Sequence, residues 1–268
     1  MERALGLMCG AGALPARMAA EARRQGWRVI AFTFGDPVGL APHVDRVVPS
    51  RITELAEVIT TIAREQLSAT LFSGTFSMVN VLSAAGRDGV SEAIWQQAGS
   101  LSDADLSKVI VSTLAGLGVD VLDQRDFLGD WLVREGALTA RAPSADELDD
   151  VQRGLAIARR LGDAHVGQTV VLRRGLVAAL EALEGTTAAI RRGAALAGPG
   201  AVVVKAVAGD HDYRFDAPAI GPDTIVAAGE GGVAAIAVEA GRVMLLEREA
   251  AIRSADEAGI ALIAAVGL

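Results

Sequence analysis

The densest group of chemically active side chains lies late in the chain. Within seven residues it contains three aspartates, one histidine and one arginine: Asp210, His211, Asp212, Arg214 and Asp216. Carboxylate oxygens are ligands that Mg²⁺ or Mn²⁺ prefers, and a metal together with Arg214 could neutralise phosphate oxygens. An aspartate just before a turn could also orient or deprotonate a water molecule. The pattern therefore predicts phosphate chemistry, and the alternative is an ordinary solvated polar loop.

Aromatic residues alternate with charged ones in the same stretch. Tyr213 and Phe215 flank Arg214, and Asp216 follows them. If the stretch forms a strand, its period of two directs Arg214 and Asp216 to one side, away from the aromatic rings. A guanidinium and a carboxylate would then face a phosphorylated ligand together.

A glycine-rich loop follows the first predicted strand. Gly10, Ala11 and Gly12 stand where backbone N–H groups and a helix N-terminus can bind a phosphate or another anion. The dinucleotide fingerprint requires a third glycine, and Pro15 occupies that place, while Asp36 could mimic the acid that binds ribose. We therefore keep an anion site and a tight structural turn as alternatives, and we disfavour an NAD site.

Two features of the second half could complete a phosphate site. Glu184, Gly185 and Thr186 follow an apolar strand and precede a helix, so the glycine permits a turn and the threonine can cap. Lys205 ends an apolar run, where its ammonium could lie at the carboxyl edge of a sheet. The alternatives are a plain capped turn and a lysine that extends to solvent.

The elements that must position these residues follow from the apolar pattern. Short apolar runs alternate with amphipathic stretches, which predicts an α/β fold with a parallel sheet, because parallel strands need crossovers. The first half should contain strands at residues 5–8, 27–34, 70–72 and 119–122, and helices at 14–25, 51–66 and 105–117. The second half should contain strands at 170–172, 176–178, 202–204, 234–238, 243–245 and 260–264, and helices at 222–229 and 248–258.

The change between the two halves lies near a proline and a capping motif. Ser144 and Glu147 form a capping box that should open a helix ending near Leu161. We therefore predict two domains, a Rossmann-like domain at 1–143 and an α/β catalytic domain at 144–268, joined by this helix.

Composition excludes several classes of protein. Of the 268 residues, 51% are hydrophobic and 22% are charged, which excludes a disordered chain. The net charge of −8 disfavours nucleic acid as a partner, and Cys9, the single cysteine, excludes an intrachain disulfide. The uncharged stretch 66–86 is interrupted by polar residues, so we reject it as a membrane span. We find no signal peptide and expect a soluble cytoplasmic protein.

Several motifs occur in one order along the chain, and together they are more specific than any one of them. They are residues 10–15, 165–168, 175–177, Glu181, Ala182, Glu184, Gly185, Thr186, Lys205, Asp212, Arg214, 216–218, Ile220, Gly221, Thr224, Ile225 and 238–241. This order resembles the UDP-2,3-diacylglucosamine pyrophosphatases of the LpxI type.

The resemblance implies an enzyme of lipid A biosynthesis. Such an enzyme would hydrolyse the pyrophosphate bond of UDP-2,3-diacylglucosamine, a lipid-linked UDP-sugar, to 2,3-diacylglucosamine 1-phosphate (lipid X) and UMP. It would use Mg²⁺, or Mn²⁺, and work in the cytoplasm with transient contact at the inner face of the inner membrane. We also expect a homodimer.

The residues and the resemblance together give a candidate site. We expect Asp216, Asp212 and Lys205 to be catalytic, with Asp216 and Asp212 also holding the metal. The expected substrate-binding residues are Gly10, Ala11, Gly12, Gly74, Thr75, Gln168, Glu184, Gly185, Thr186 and Arg214.

Two positions and one loop depart from the family pattern and keep an alternative open. Thr187 and His165 stand where the family often has aspartate, and the loop at residues 73–76 also differs. The alternative function is a non-catalytic module that binds a UDP-sugar or nucleotide. A dinucleotide-dependent oxidoreductase is a third option, which Pro15 argues against.

Overall fold

The structure is a computed structural model that describes residues 3–76, 86–99 and 103–267. Backbone contacts divide the chain into two units: Met1–Gly129 with Asp212–Ala217, and Asp130–His211 with Pro218–Leu268. The division thus falls at Gly129, before the boundary at residue 143 that the sequence suggested. The segment Asp212–Ala217 belongs by its contacts to the first unit, although the sequence analysis assigned it to the second domain.

The first unit is built on a parallel sheet of five strands. The strands are β1 (Ala4–Cys9), β2 (Arg28–Thr33), β3 (Arg46–Pro49), β4 (Ala69–Ser73) and β5 (Asp120–Val121), in the order β3-β2-β1-β4-β5. The described helices are α1 (Leu14–Arg24), α2 (Leu55–Arg64), α3 (Gly89–Ala98) and α4 (Asp103–Gly116). The order reverses between β1 and β4, which is the switch point of a Rossmann-like sheet. The predicted Rossmann-like α/β domain is confirmed.

Burial explains why the central strands read as unbroken apolar runs. All six residues of β1 are buried, because helices cover both faces of a parallel sheet. One face carries Met8, Ile30 and Phe32, and α2 and α4 pack against it with Ile62 and Leu114. Two elements of this unit were not predicted, the edge strand β3, which exposes three of its four residues, and α3, which a polar residue, Asp88, caps.

The second unit contains a mixed sheet of six strands. They are β6 (Gly136–Ala137), β7 (Thr169–Arg173), β8 (Leu176–Leu180), β9 (Ala201–Lys205), β11 (Val233–Glu239) and β13 (Ala261–Ala265), in the order β6-β13-β11-β9-β7-β8. The strands β10 (Ala219–Ile220) and β12 (Met244–Leu245) form a separate parallel pair. Because β7 and β8 form an antiparallel hairpin, this sheet is not parallel throughout.

Helices cover both faces of the second sheet. They are α5 (Ala145–Asp163), α6 (Thr186–Ala197), α7 (Pro222–Glu230) and α8 (Arg248–Glu257). The predicted capping box of Ser144 and Glu147 is confirmed, and α5 packs through Val151 and Leu155 on one face of its own sheet. The other three helices pack on the opposite face.

No helix within residues 3–76, 86–99 and 103–267 is long and apolar enough to cross a bilayer. The uncharged stretch 66–86 that the sequence analysis rejected as a span lies partly outside the described residues.

Close packing of α6 on the sheet gives a test of this arrangement. A Cβ atom on Gly193 would overlap Val171 and Ala179, whereas one on the helical Gly116 would meet no atom within 4 Å. We therefore expect Gly193→Ala to lower the free energy of unfolding by about 1–3 kcal/mol. The matched variant Gly116→Ala should raise it by up to about 1 kcal/mol, because alanine is the better helix former. Denaturant unfolding measures both, and equal stability of the two variants would contradict the described packing.

Candidate functional site

The glycine loop lies at the switch point of the first sheet, and its amides already have partners. The N–H of Gly10 donates to the carbonyl of Ser73 at 2.8 Å, that of Ala11 to Thr75 at 2.9 Å, and that of Gly12 to Asp36 at 3.2 Å. In this structure these three amides donate within the protein. The loop would therefore have to contact a ligand through other atoms than the three N–H groups.

Close approach of backbone explains most of the glycines here. A Cβ atom on Gly10 would overlap the carbonyl of Thr75, and one on Gly74 would overlap Ala11 and Pro15. Gly74 therefore makes room for the proline that replaces the third glycine of the dinucleotide fingerprint. Gly12, at a φ of +94°, has no atom within 4 Å of such a Cβ. The structure thus brings together Gly10, Ala11, Gly74 and Thr75, as the contact of two loops.

The segment Asp212–Ala217 is attached to the first unit through its aromatic residues. The N–H of Gln124 donates to the carbonyl of Tyr213 at 3.1 Å, and the guanidinium of Arg125 lies 4.5 Å from the centre of the Tyr213 ring. The rings of Phe215 and Phe72 have their centres 4.8 Å apart. Tyr213 is buried while Asp216 is exposed, so the aromatic residues hold the segment that carries this aspartate.

Asp212 and Arg214 form a local ion pair in this segment. Arg214 donates from Nε to Oδ1 at 2.9 Å and from Nη2 to Oδ2 at 2.7 Å, and its backbone N–H donates to Oδ1 at 3.0 Å. Hydrogen bonding to Asp212 raises the pKa of Arg214 above its ordinary value. The segment forms a turn, so the condition for placing Arg214 and Asp216 on one side, that the stretch forms a strand, is not met. The physical reason is that the Asp212 side chain binds the backbone two residues on, which favours turns.

A second pair of the same form lies beside it and was missed by the sequence analysis. Arg125 donates to Asp123 from Nε at 3.0 Å and from Nη2 at 2.6 Å, and the Arg125 backbone N–H donates to Oδ1 at 2.8 Å. The hydrogen bond from Arg125 lowers the pKa of Asp123, and the negative charge of Asp212 opposes that effect. The signal in the sequence is an Asp-x-Arg triplet at 123–125 that recurs at 212–214.

Lys205 belongs to a buried polar cluster in the second unit. Only 4% of the residue is exposed, so the alternative of a lysine extending to solvent is excluded. Its Nζ donates to the Thr186 hydroxyl at 2.8 Å and lies 3.8 Å from Oε2 of Glu181. The Thr186 hydroxyl in turn donates to Oε1 of Glu181 at 2.9 Å. The predicted residues Lys205 and Thr186 are therefore in direct contact at the carboxyl end of β9.

Gln168 joins this cluster through its backbone. Its N–H donates to Oε2 of Glu181 at 3.4 Å, and its carbonyl accepts from Ala206 at 2.9 Å. Gly185 immediately precedes α6 and has a φ of +81°, which an L side chain rarely adopts. Thr186 is the first residue of the helix. Three of the predicted substrate-binding residues, Gln168, Gly185 and Thr186, thus lie at the same end of the second sheet, where β8 ends and β7 begins.

Glu184 does not join the cluster. Its carboxylate binds Arg192 and accepts the N–H of Ala182 at 3.1 Å, and the hydrogen bond from Arg192 lowers the pKa of Glu184. Glu181 was missed as a site residue, although the sequence places it directly after the strand β8. Its N–H donates to Thr169 at 2.8 Å, and Thr169 pairs with Lys205 across β7 and β9. The pairing of the three strands therefore brings Glu181, and not Glu184, to the lysine.

The residues allow a direct test of the predicted metal site. Within the described part of the chain, no group of three or more His, Cys, Asp or Glu side chains could hold a metal ion. Mg²⁺ is usually bound through one or two carboxylates together with waters and substrate phosphates. Asp216, an exposed residue, can supply one carboxylate to a site of that kind. Asp212 fits it only if its carboxylate releases Arg214.

Acid should weaken the Asp123–Arg125 pair, and this gives a prediction. The pKa of Asp123 lies below its ordinary value of 3.8, so the pair stabilises the fold above that pH and is lost as the pH falls through the lowered pKa. We expect Asp123→Asn to lower the melting temperature by about 2–4 °C at pH 7. The difference from wild type should shrink below pH 3.8 in thermal melts. A difference that stays constant with pH would contradict the ion pair.

Removal of the buried lysine should be costly, because it leaves a buried carboxylate without its partner. We expect Lys205→Met to lower the free energy of unfolding by about 3–5 kcal/mol. The double variant Glu181→Gln/Lys205→Met should recover most of this loss, because a neutral pair needs no charge compensation. Arg192→Met is the matched control on the exposed pair with Glu184 and should cost less than about 1 kcal/mol in denaturant unfolding. A Lys205→Met loss as small as the control would contradict a buried ion pair.

Comparison with known proteins agrees with the two units. The family model of the LpxI N-terminal domain matches residues 4–131, and that of the LpxI C-terminal domain matches residues 134–263. A relative from Caulobacter vibrioides, named UDP-2,3-diacylglucosamine pyrophosphatase LpxI, is 30% identical over 276 aligned positions, and the alignment covers 96% of this chain and 96% of the relative. The boundary between the two family models lies close to Gly129.

Among solved structures, N5-carboxyaminoimidazole ribonucleotide synthetase from Thermotoga maritima shares 15% identity with this chain, and the match covers 67% of this chain and 41% of that one. The TM-score is 0.26, so this likeness carries no argument about fold or function.

Proposed function

The chain belongs to the LpxI family, and on that premise we propose that it hydrolyses the pyrophosphate bond of UDP-2,3-diacylglucosamine. The products would be 2,3-diacylglucosamine 1-phosphate and UMP, and the reaction would belong to lipid A biosynthesis. The observation that carries the proposal is the match over 96% of both chains to a relative named for this activity. Both domains of the family are represented, so the match does not rest on one shared module.

The buried cluster of the second unit suits the stabilisation of negative charge on the substrate. Hydrolysis of a diphosphate requires stabilisation of negative charge and a positioned water more than it requires a covalent nucleophile. Lys205 supplies a positive charge at the carboxyl end of β9, held by Thr186 and Glu181. We assign Lys205 to stabilising charge on the phosphate oxygens, and Gly185, Gln168 and the backbone of Thr186 to binding the same group.

Asp216 suits the positioning of the attacking water molecule. Its carboxylate is exposed, and the buried Tyr213 and the packed Phe215 fix the backbone that precedes it. A carboxylate held in this way can orient or deprotonate a water molecule. We assign Asp216 to that role, and Arg214 to offsetting substrate charge.

A divalent cation, Mg²⁺ or Mn²⁺, is part of the proposal. Bound there, it would neutralise charge on the diphosphate and make its bound water more acidic. Asp216 would hold it, and Asp212 would contribute only after releasing Arg214. We also propose a cytoplasmic homodimer that contacts the inner membrane transiently, where a lipid-linked substrate would lie.

The experiment is release of UMP from UDP-2,3-diacylglucosamine by the purified chain with Mg²⁺. Wild type should release UMP, and Asp216→Ala should lower kcat by about 10²- to 10⁴-fold without changing the melting temperature. Asp223→Ala is the control, because Asp223 is also exposed but lies in the first turn of α7. Tight binding of the UDP-sugar without UMP release would contradict the proposal and indicate a nucleotide-binding module.

A further inference from the structure

The direction of each hydrogen bond in the Lys205 cluster can be read from its chemistry. An ionised carboxylate can only accept, so the Thr186 hydroxyl must donate its one proton to Oε1 of Glu181 across 2.9 Å. The oxygen of Thr186 is then free to accept from Nζ of Lys205 at 2.8 Å. Glu181 therefore decides which way the Thr186 hydroxyl points, and that hydroxyl decides where one N–H of Lys205 points.

The backbone holds all three residues on regular elements. Glu181 directly follows β8, and its N–H donates to Thr169 at 2.8 Å. A Cβ atom on Gly167 would overlap the carbonyl of Glu181, so the backbone at Gly167 packs closely against the backbone of Glu181. Thr186 begins α6 and Lys205 ends β9. None of the three side chains depends on a long loop for its position.

We propose that Glu181 is a positioning residue for Lys205 in the hydrolysis, an inference that rests on the proposed function. Its carboxylate orients the Thr186 hydroxyl and lies 3.8 Å from the ammonium, so it fixes the direction in which Lys205 presents its remaining N–H to a phosphate oxygen. Glu181 acts through Lys205 and Thr186.

Burial separates this role from that of an ordinary surface pair. Lys205 and Glu181 are 4% and 8% exposed, and burying two charges is costly unless their geometry is well satisfied. An apolar pair would stabilise the sheet as well or better. Glu184, three residues after Glu181 in the sequence, forms an exposed ion pair with Arg192 and is an example of an ordinary surface pair.

The role predicts different effects on kcat and on KM. Glu181→Gln keeps the size of the side chain and removes its negative charge. Losing that charge does not weaken attraction for an anionic substrate, so KM should stay the same or fall. Losing the fixed direction of Thr186 and Lys205 should lower kcat by about 10- to 100-fold.

The test measures kcat and KM for UMP release, with melting temperatures, for a set of matched variants. Glu181→Gln should show the loss in kcat, and Glu230→Gln, which breaks an exposed ion pair with Arg191, should stay within about twofold of wild type. Thr186→Val should lose a similar factor, and Thr186→Ser, which keeps the hydroxyl, should retain most of the activity. Glu181→Gln/Thr186→Val should be no slower than the slower single variant, because residues that act as a unit are not additive.

The outcomes distinguish this inference from the proposed function. If wild type releases UMP but Glu181→Gln matches Glu230→Gln, only the positioning role is overturned. Fully multiplied losses in the double variant would overturn it as well, because independent damage to the fold is additive. If Glu181→Gln does not fold, the Thr186 variants decide, and equal activity of valine and serine overturns the role. Absence of UMP release by wild type overturns both proposals.

Discussion

A lysine ammonium that is removed from water needs a carboxylate, and in this protein that need is met by Glu181. The pair lies where β8 and β9 end, and the Thr186 hydroxyl lies between the carboxylate and the ammonium. This ion pair forms only when β7, β8 and β9 pair in one register, because Thr169 lies between Glu181 and Lys205 and is bonded to both strands. The charge that the proposed reaction uses is thus maintained by the same strand pairing that builds the unit.

The first unit meets a different constraint, which is the attachment of a short segment from late in the chain. Tyr213 and Phe215 pack against Arg125 and Phe72, and the N–H of Gln124 binds the intervening backbone. The two Asp-x-Arg pairs lie beside this contact and leave the segment as a turn with Asp216 exposed. The apolar content of the segment therefore serves to fix a carboxylate, and its charged residues are largely engaged with one another.

The strands at the centres of the two sheets could be predicted from the sequence, whereas the edge strands β3 and β6 could not. The strands β1, β4, β9 and β11 are buried on both faces, so their apolar runs are unmistakable, and the capping box of α5 is a local signal. The strands β3 and β6 are short and mostly exposed, so they carry no such run. The contact division at Gly129 lies before the predicted boundary at residue 143, because β6 pairs with β13, a strand far along the chain.

For the candidate site, the sequence by itself determined the residue types and the family order of motifs, including Lys205, Thr186 and Asp216. Only the tertiary structure decided which neighbours these residues have. It brought Glu181 to Lys205 in place of Glu184, engaged Asp212 with Arg214, and used the amides of Gly10, Ala11 and Gly12 within the protein. The physical reason is that local periodicity fixes an element, whereas contacts between side chains depend on the register of strands that are distant in sequence.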